Sequence, residues 1–419
     1  MDNLTQKRLN GLRDRLTYIR DIFLGKHADS VKLLQEKLDE FTDKANRGLL
    51  QNPYAEESSL EDLFKYVEDR LTKTLTPMEK VRIVRHPQRI CLKDILENVY
   101  DNFTEVGGQD EHSLDPSMLI ARAVIIRRRG KKRYTQSVMV IGQEKGHGAE
   151  FRNGGSVKPW GNAKARQFMR VAETEGIPVH TYPIEDYPGA AQQIARNIYC
   201  MAGLRVPVVT VISEGGSGGA EAIGLADKRL MLSDGYYSVI SPEGAAAIEG
   251  HCKGGQRPSM ELIEKCAANL KITAQDNLAM GYIDKIIEEP PLGARPYHFD
   301  FFRKLRQEVL RATDEAVISA RAMPFKSMAI SRRNKPEANL DDMFMRWNLS
   351  SSDKDRLLRK RQNKFLKMSR QAALDRRPLL KKITNGIGDL VSTPWINFKY
   401  DFYRPARWVG APDAYLRGN

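Results

Sequence analysis

A chain of 419 residues is long for one average domain and short for three, and with 41% apolar and 29% charged residues it is not a disordered chain, a collagen-like chain or a disulfide scaffold. The net charge of +14 is unevenly placed: residues 301–419 hold 26 Lys and Arg against 12 Asp and Glu, whereas residues 1–300 balance at 41 of each sign. A neutral body with a basic C-terminal segment is expected before any motif is considered. No apolar run of about 18 residues occurs and the N-terminus lacks the apolar core of a signal peptide, so a soluble cytoplasmic protein without a transmembrane segment is expected. Cys91, Cys200, Cys252 and Cys266 form no C-x-x-C pair, which fits a reduced compartment and predicts no metal site in this chain.

In chain order, Leu9, Leu12, Leu16, Ile19 and Phe23 recur at steps of three and four, and Val31, Leu34, Leu38 and Phe41 repeat the pattern after Gly25. Two amphipathic helices follow, either an antiparallel hairpin or helices laid against a partner, and a structural arm rather than a catalytic element. A third helix is expected from Ser59 to Leu75, its start marked by the capping-box character of Ser59-Leu-Glu-Asp62. From about residue 117 the period changes. Met118–Ile126 and Ser137–Ile141 are apolar runs around a basic turn, Arg127–Arg133, and read as a strand pair. A helix over 162–175, an apolar stretch over 177–182, a helix over 190–203 and a strand over 206–212 then alternate, which is an α/β pattern with a buried sheet.

Val208–Leu225, VVTVISEGGSGGAEAIGL, is an apolar strand running into a glycine-rich turn and a small-residue helix. Glycines at 215, 216, 218 and 219 let main-chain N–H groups approach a ligand oxygen, and a helix starting near Gly218 aims its positive end at the same place. Such an arrangement stabilises charge developing on an oxygen. The turn also suits a phosphate, although it lacks the Gly-Lys-Ser/Thr of a P-loop and the spacing of the dinucleotide fingerprint, or it serves only tight strand–helix packing. No G-x-S-x-G elbow or Ser-His-Asp set accompanies it.

After it comes Tyr236-Tyr-Ser-Val-Ile-Ser-Pro-Glu-Gly244, a strand whose turn opens a helix at Pro242. Together with Leu75-Thr-Pro-Met-Glu-Lys80, Arg85-His-Pro-Gln-Arg89, Met139-Val-Ile-Gly-Gln-Glu-Lys-Gly146 and Gly281-Tyr-Ile-Asp-Lys-Ile-Ile-Glu-Glu-Pro290, these segments resemble the carboxyltransferase α subunit of bacterial acetyl-CoA carboxylase, in order from about Leu4 to Pro296. The resemblance implies a crotonase-like (ClpP/crotonase) spiral of ββα units over 76–300, with an N-terminal helical arm over 1–75 and a basic helical and aromatic extension over 301–419. It implies transfer of a carboxyl group from carboxybiotin on a biotin carboxyl carrier protein to acetyl-CoA, giving malonyl-CoA for fatty acid biosynthesis. A β subunit is expected to hold most of the acyl-CoA and the zinc, in an α2β2-type assembly that also works with biotin carboxylase.

By position, the resemblance makes Gly218 and Gly219 the backbone oxyanion hole for the biotin ureido oxygen. It places Gly215, Gly216, Tyr187, Gly189, Glu243 and Gly244 around the substrate. Charge builds on the ureido oxygen during decarboxylation and on the thioester oxygen during proton removal, and paired oxyanion holes answer both without a side-chain nucleophile. Glu214 and Glu243 flank glycine turns; Glu243 is expected to stabilise a helix N-terminus. His86 is expected to make structural hydrogen bonds. Arg152 and Lys158 either meet CoA phosphates or lie on a solvated face.

Two segments depart from the family. His180-Thr-Tyr-Pro-Ile-Glu-Asp-Tyr-Pro-Gly-Ala190 lacks the Thr-Pro-Gly-Ala part and several residues of a loop that lines the biotin side of the pocket, and 147–160 replaces a long basic connection with a glycine-containing one. A weak or inactive paralogue acting in assembly, or a carboxyltransferase for another acyl-CoA, are the alternatives. In the C-terminal segment a helix over 301–321 closes the body, Ser350-Ser-Ser-Asp353 caps a basic helix over 354–373, and an aromatic–basic end runs from Trp395 to Trp408. That composition suits docking on an acidic protein partner, nucleic acid, or a solvated or membrane-surface role.

Overall fold

The computed structural model describes residues 3–108, 115–129, 131–147, 155–186, 189–253, 256–323 and 345–372. Tyr187, Arg152 and the aromatic–basic end lie outside them. The chain opens with α1 (Asn3–Phe23), α2 (Ala28–Asn46), α3 (Pro53–Thr72), α4 (Pro77–Arg85) and α5 (Leu92–Val99). There follow β1 (Asn102–Val106), β2 (Met118–Arg129), β3 (Lys132–Gln143), β4 (Ser156–Val157), α6 (Pro159–Glu175), β5 (Val179–Tyr182), β6 (Glu185–Asp186) and α7 (Ala191–Gly203). Then come β7 (Val208–Gly216), α8 (Ser217–Ala222), β8 (Lys228–Ser238), α9 (Pro242–Glu249), α10 (Met260–Asn269), α11 (Ala274–Ala279), β9 (Lys285–Ile287), α12 (Phe299–Ala320) and α13 (Ser351–Ala372).

Seven strands form one sheet in the order β1-β2-β3-β5-β7-β8-β9. β1, β2 and β3 are antiparallel, and β3, β5, β7, β8 and β9 are parallel. Strands joining in sequence order, with helices crossing over between the parallel ones, give the spiral of a crotonase-like α/β fold. Side chains alternate between the faces, as the strand period of two requires. Ala121, Ala123, Ile125, Val138, Val140, Val209 and Val211 pack with α5 and α12 on one side. Ile120, Met139, Ile141, Val179 and Val208 pack with α6 and α7 on the other.

The arm packs on its own body. α1, α2 and α3 bury Leu9, Leu16, Ile19, Phe23, Leu34, Phe41 and Phe64 in one cluster with Ile83 and Leu292, and the buried Tyr18 hydroxyl donates to the Leu292 carbonyl at 2.7 Å. α3 begins six residues before the expected Ser59, because Asn52 accepts from Ala55 N at 3.2 Å and Pro53 supplies the first helical position. The expected basic turn is also shorter: β2 and β3 run on to Arg129 and Lys132. Arg127 is a fully buried strand residue paired with Asp314 of α12 at 2.9 Å, its guanidinium 5.2 Å from the Trp347 ring.

A division at residue 300 does not match the packing. Contacts group 1–368 as one unit and 369–419 as another. Phe301, Phe302, Leu305, Val309, Leu310 and Val317 of α12 are core residues, as are Met345 and Trp347 beyond it. α13 starts three residues before the expected Lys354, because Ser350 alone is the cap, its Oγ accepting from Asp353 N at 3.3 Å. Much of its charge is spent on the body. Arg356 donates to the Ala320 carbonyl, Lys360 to Ser319, and Lys364 to Asp227 and Asp284. The fully buried Arg361 pairs with Asp227 at 2.6 Å and donates to the carbonyls of Met201, Leu204 and Val206.

Behind the sheet, His180 Nδ1 meets the Tyr100 hydroxyl at 3.0 Å and Nε2 the Thr313 hydroxyl at 2.9 Å, and Tyr100 also meets Tyr182 at 2.9 Å. Burial pushes the imidazole down from 6.5 to about 3. The unfolded chain therefore takes up a proton near pH 6.5 that the folded chain refuses until about 3, and stability falls as pH drops through that window. Between pH 7 and 5 this group is expected to cost roughly 2 kcal/mol. Urea titrations at the two pH values check this, with His180→Gln expected to flatten the difference; an unchanged slope in the variant contradicts it.

Candidate active site

β7 leads into the site. After a register shift past Ile212, Glu214, Gly215 and Gly216 stand opposite Tyr236, Tyr237 and Ser238 of β8. The approach is close: a Cβ on Gly215 would lie 2.5 Å from Tyr237 Cδ2, and one on Gly235 2.5 Å from the Ser213 carbonyl oxygen. Gly215 is thus required by packing against an aromatic ring. Gly216 N donates to the Ile184 carbonyl at 2.9 Å, tying the stretch just after β5 to the glycine loop. Its neighbours Glu185 and Asp186 pair with Ser156 and Val157 in a two-stranded sheet.

α8 begins immediately, with Gly216 as N-cap and no side chain capping it. Gly218 and Gly219 occupy its second and third positions, where N–H groups have no acceptor within the helix. Gly218 lines a cavity of about 570 Å3 with Tyr237, Val239, Leu270, Met280 and the cations Arg229 and Lys271. Arg229 is held under it: its guanidinium donates to the Tyr237 hydroxyl at 2.5 Å, pairs with Glu221 at 3.3 Å and stacks 4.9 Å from the Tyr237 ring. An apolar-walled cavity with backbone donors and two cations suits a ring-bearing ligand whose oxygen gains charge.

At the second turn, Ser241 caps α9 by accepting from Gly244 N at 3.1 Å, and Pro242 has no N–H. The amides of Gly216 and Gly244 are therefore taken within the protein, whereas among the described residues those of Gly218 and Gly219 meet no acceptor outside their helix. Glu243 lies in the first turn of α9, as expected, and pairs with Arg85 at 2.7 Å. Gly189 is exposed with φ +92°. Lys158 is the N-cap of α6, its ammonium 5.0 Å from the Trp160 ring.

Glu214, next to the glycines, is where distant sequence segments meet. Arg85 Nε lies 3.6 Å from one carboxylate oxygen, which also accepts from the Tyr236 hydroxyl at 3.4 Å; Lys145 Nζ lies 3.4 Å from the other. Burial lowers the pKa of Lys145 and Glu214 opposes that shift. Arg85 ends α4, whose start is fixed by a capping box: Thr76 accepts from Glu79 N, and Glu79 accepts from Thr76 N. Lys80 of α4 donates to the Ser233 carbonyl at 2.7 Å. Arg89 pairs, fully buried, with Glu289 at 2.5 Å. His86 is structural: it receives Gln88 N on Nδ1 and faces Asp21 at 3.2 Å. Arg85 and Lys145 stand in the quoted motifs, but only their convergence on Glu214 gives them a role; Arg229 and Tyr237 carried no signal of their own.

Replacing Glu214 by Ala strips the largely buried Lys145 of its anionic partner and is expected to cost about 2 kcal/mol. Chemical denaturation checks it, and a change under about 0.5 kcal/mol, the range of ordinary surface substitutions, contradicts the bracing role.

The same motifs place the chain among known proteins. The profile of the family described as acetyl co-enzyme A carboxylase carboxyltransferase-like matches residues 26–338. The chain belongs to this family. Two relatives in it, each named acetyl-coenzyme A carboxylase carboxyl transferase subunit alpha, are similar along most of their length. That of Chlorobaculum parvum is 38% identical over 266 residues, 60% of this chain and 75% of the relative. That of Rhodospirillum centenum is 34% identical over 325 residues, 74% of this chain and 87% of the relative. Among solved structures, transcarboxylase 12S with methylmalonyl-coenzyme A and methylmalonic acid bound is distantly similar, at 17% identity and TM-score 0.41, covering 62% of this chain and 44% of that one. This chain therefore spans less than half of the transcarboxylase chain. Among the described residues no helix is long and apolar enough to cross a membrane.

Proposed function

We propose that this chain is a carboxyltransferase α subunit that moves a carboxyl group from a biotin-linked donor to acetyl-CoA, giving malonyl-CoA. The observation that carries the reading is the pair of helix-start amides, Gly218 and Gly219, with Gly218 at the edge of a cavity of about 570 Å3. The donor, borne on a carrier protein, supplies an activated carboxyl group whose release leaves negative charge on the oxygen of its ureido ring. Gly218 and Gly219 N–H donate to that oxygen more strongly as the charge grows, which lowers the barrier rather than tightening ground-state binding. Tyr237, Leu270 and Met280 shelter the ring from water, Arg229 and Lys271 add positive potential, and the Arg85–Glu214–Lys145 cluster holds the strand that presents the glycines. Gly215 and Gly216 shape the turn, and Lys158 is proposed to meet a CoA phosphate.

A β-type carboxyltransferase partner completes the site with the acyl-CoA and its own zinc, in an α2β2-type assembly. Co-expression with such a partner, followed by addition of biotin carboxylase, biotinylated carrier, ATP, bicarbonate and acetyl-CoA, is expected to yield malonyl-CoA. An intact complex that makes none overturns the reading in favour of an assembly role, and one that carboxylates a longer acyl-CoA instead corrects the substrate.

A further inference from the structure

A cluster of three metal-ligating side chains lies where the chain enters α5, and the carboxyl-transfer chemistry does not use it. Cys91 Sγ lies 3.3 Å from His147 Nε2, and Asp94 Oδ2 lies 2.9 Å from the same nitrogen. One ligand atom from each residue falls within 4.8 Å of the others. The ring is oriented from its far side, since His147 Nδ1 stands 3.0 Å from the Pro87 carbonyl oxygen and bonds it by donating its proton. That bond turns Nε2 toward a carboxylate oxygen and a sulfur.

We propose that Cys91, Asp94 and His147 bind a divalent cation of the zinc class. The donor set is sulfur, imidazole nitrogen and carboxylate oxygen, the mixture that zinc takes. Tetrahedral zinc with ordinary bond lengths sets such atoms about 3.3–3.6 Å apart, so the sulfur–nitrogen and nitrogen–oxygen pairs need an opening of about 0.5 Å at most. The histidine's second nitrogen on a backbone carbonyl is the usual way a metal-bound imidazole is held. Two ligands are fixed to each other before any ion arrives, because Asp94 Oδ2 also accepts from Cys91 N at 2.7 Å in the first turn of α5. Cys91 is buried at 5% exposure, while the His147 side chain is 40% exposed, so the fourth position opens to water. A cysteine-nucleophile reading fits less well. It calls for the acid and the thiol on opposite ring nitrogens, whereas here both face Nε2. Counting cysteine pairs missed the cluster, since one cysteine is joined by an aspartate three residues on and a histidine 56 residues away.

The test uses the full chain, stripped with a chelator and titrated with Co2+ as a spectroscopic stand-in for Zn2+. One equivalent is expected to raise a near-ultraviolet thiolate-to-cobalt absorption that Zn2+ displaces. Cys91→Ser is expected to abolish the band with Cys200, Cys252 and Cys266 still present. His147→Gln, at a partly exposed position that leaves the core intact, is expected to weaken binding by more than about 100-fold, the upper end of what losing an outer partner costs. Circular dichroism of the stripped proteins confirms that each is folded, and if Cys91→Ser fails to fold, His147→Gln decides. A wild-type chain without the thiolate band, or a band of equal affinity in the folded variants, overturns the proposal.

Discussion

Gly218→Val is expected to slow carboxyl transfer at least about 100-fold in the complex with the partner subunit, while the chain folds and assembles as before. The residue is the second of α8, half-exposed, and lines the cavity, so the added isopropyl group fills space a ligand needs and pushes its oxygen away from two amides. Loss of one oxyanion donor costs roughly 100- to 1,000-fold in rate, and displacement of the oxygen affects both donors. Because the amides act on charge that develops during the reaction, the loss is expected in kcat as well as in kcat/KM. Steady-state kinetics of the co-purified complex check it. Turnover within a factor of two of wild type removes Gly218 from the site.

Arg361→Ala is expected to have the largest effect on stability, about 3–5 kcal/mol, as for other buried pairs broken from one side. Its guanidinium is fully buried, bonds both oxygens of Asp227, and satisfies the carbonyls of Met201, Leu204 and Val206 at the end of α7 and before β7. Removing it leaves the Asp227 carboxylate with the Val208 N–H but no countercharge, and takes a donor from three carbonyl groups at once. Limited proteolysis is expected to release α13, and denaturant titration to show an early loss of part of the structure. Arg359→Ala, on the same helix but exposed, is expected to do neither. Equal sensitivity of the two variants contradicts an internal docking role for the basic helix.

The local elements were largely legible in the sequence because each carries its own signal. The arm shows a three-and-four period, β7 a largely apolar run into glycines, α9 a turn that opens at Pro242, and α13 a cap at Ser350. What could not be read lies in contacts between distant residues. Arg127 looked like part of a turn because its charge outweighed its place in a strand; the partner that buries it, Asp314, is 187 residues on. Arg361 looked like one cation of a basic face, yet it fits Asp227, 134 residues earlier. Likewise the motifs around Arg85, Lys145 and Glu214 were each visible, and their meeting point was not. The resemblance set Gly218 and Gly219 apart from Gly216 and Gly244 by position, and the structure adds the physical difference: the amides of Gly216 and Gly244 are bonded to Ile184 and Ser241.

The charge arithmetic takes on a physical meaning here. Part of the excess beyond residue 300 consists of Arg356, Lys360, Arg361 and Lys364, which bond carbonyls and carboxylates of the body. Arg127 and Asp314 likewise join β2 to α12 in the core.

The central claim is tested most directly by the half-reaction that isolates this subunit's chemistry, the malonyl-CoA-dependent carboxylation of free biotin by the chain co-purified with its carboxyltransferase partner. The account predicts acetyl-CoA formation in step with carboxybiotin, lost in Gly218→Val. An intact complex that consumes no malonyl-CoA, or one whose activity survives that substitution unchanged, contradicts it.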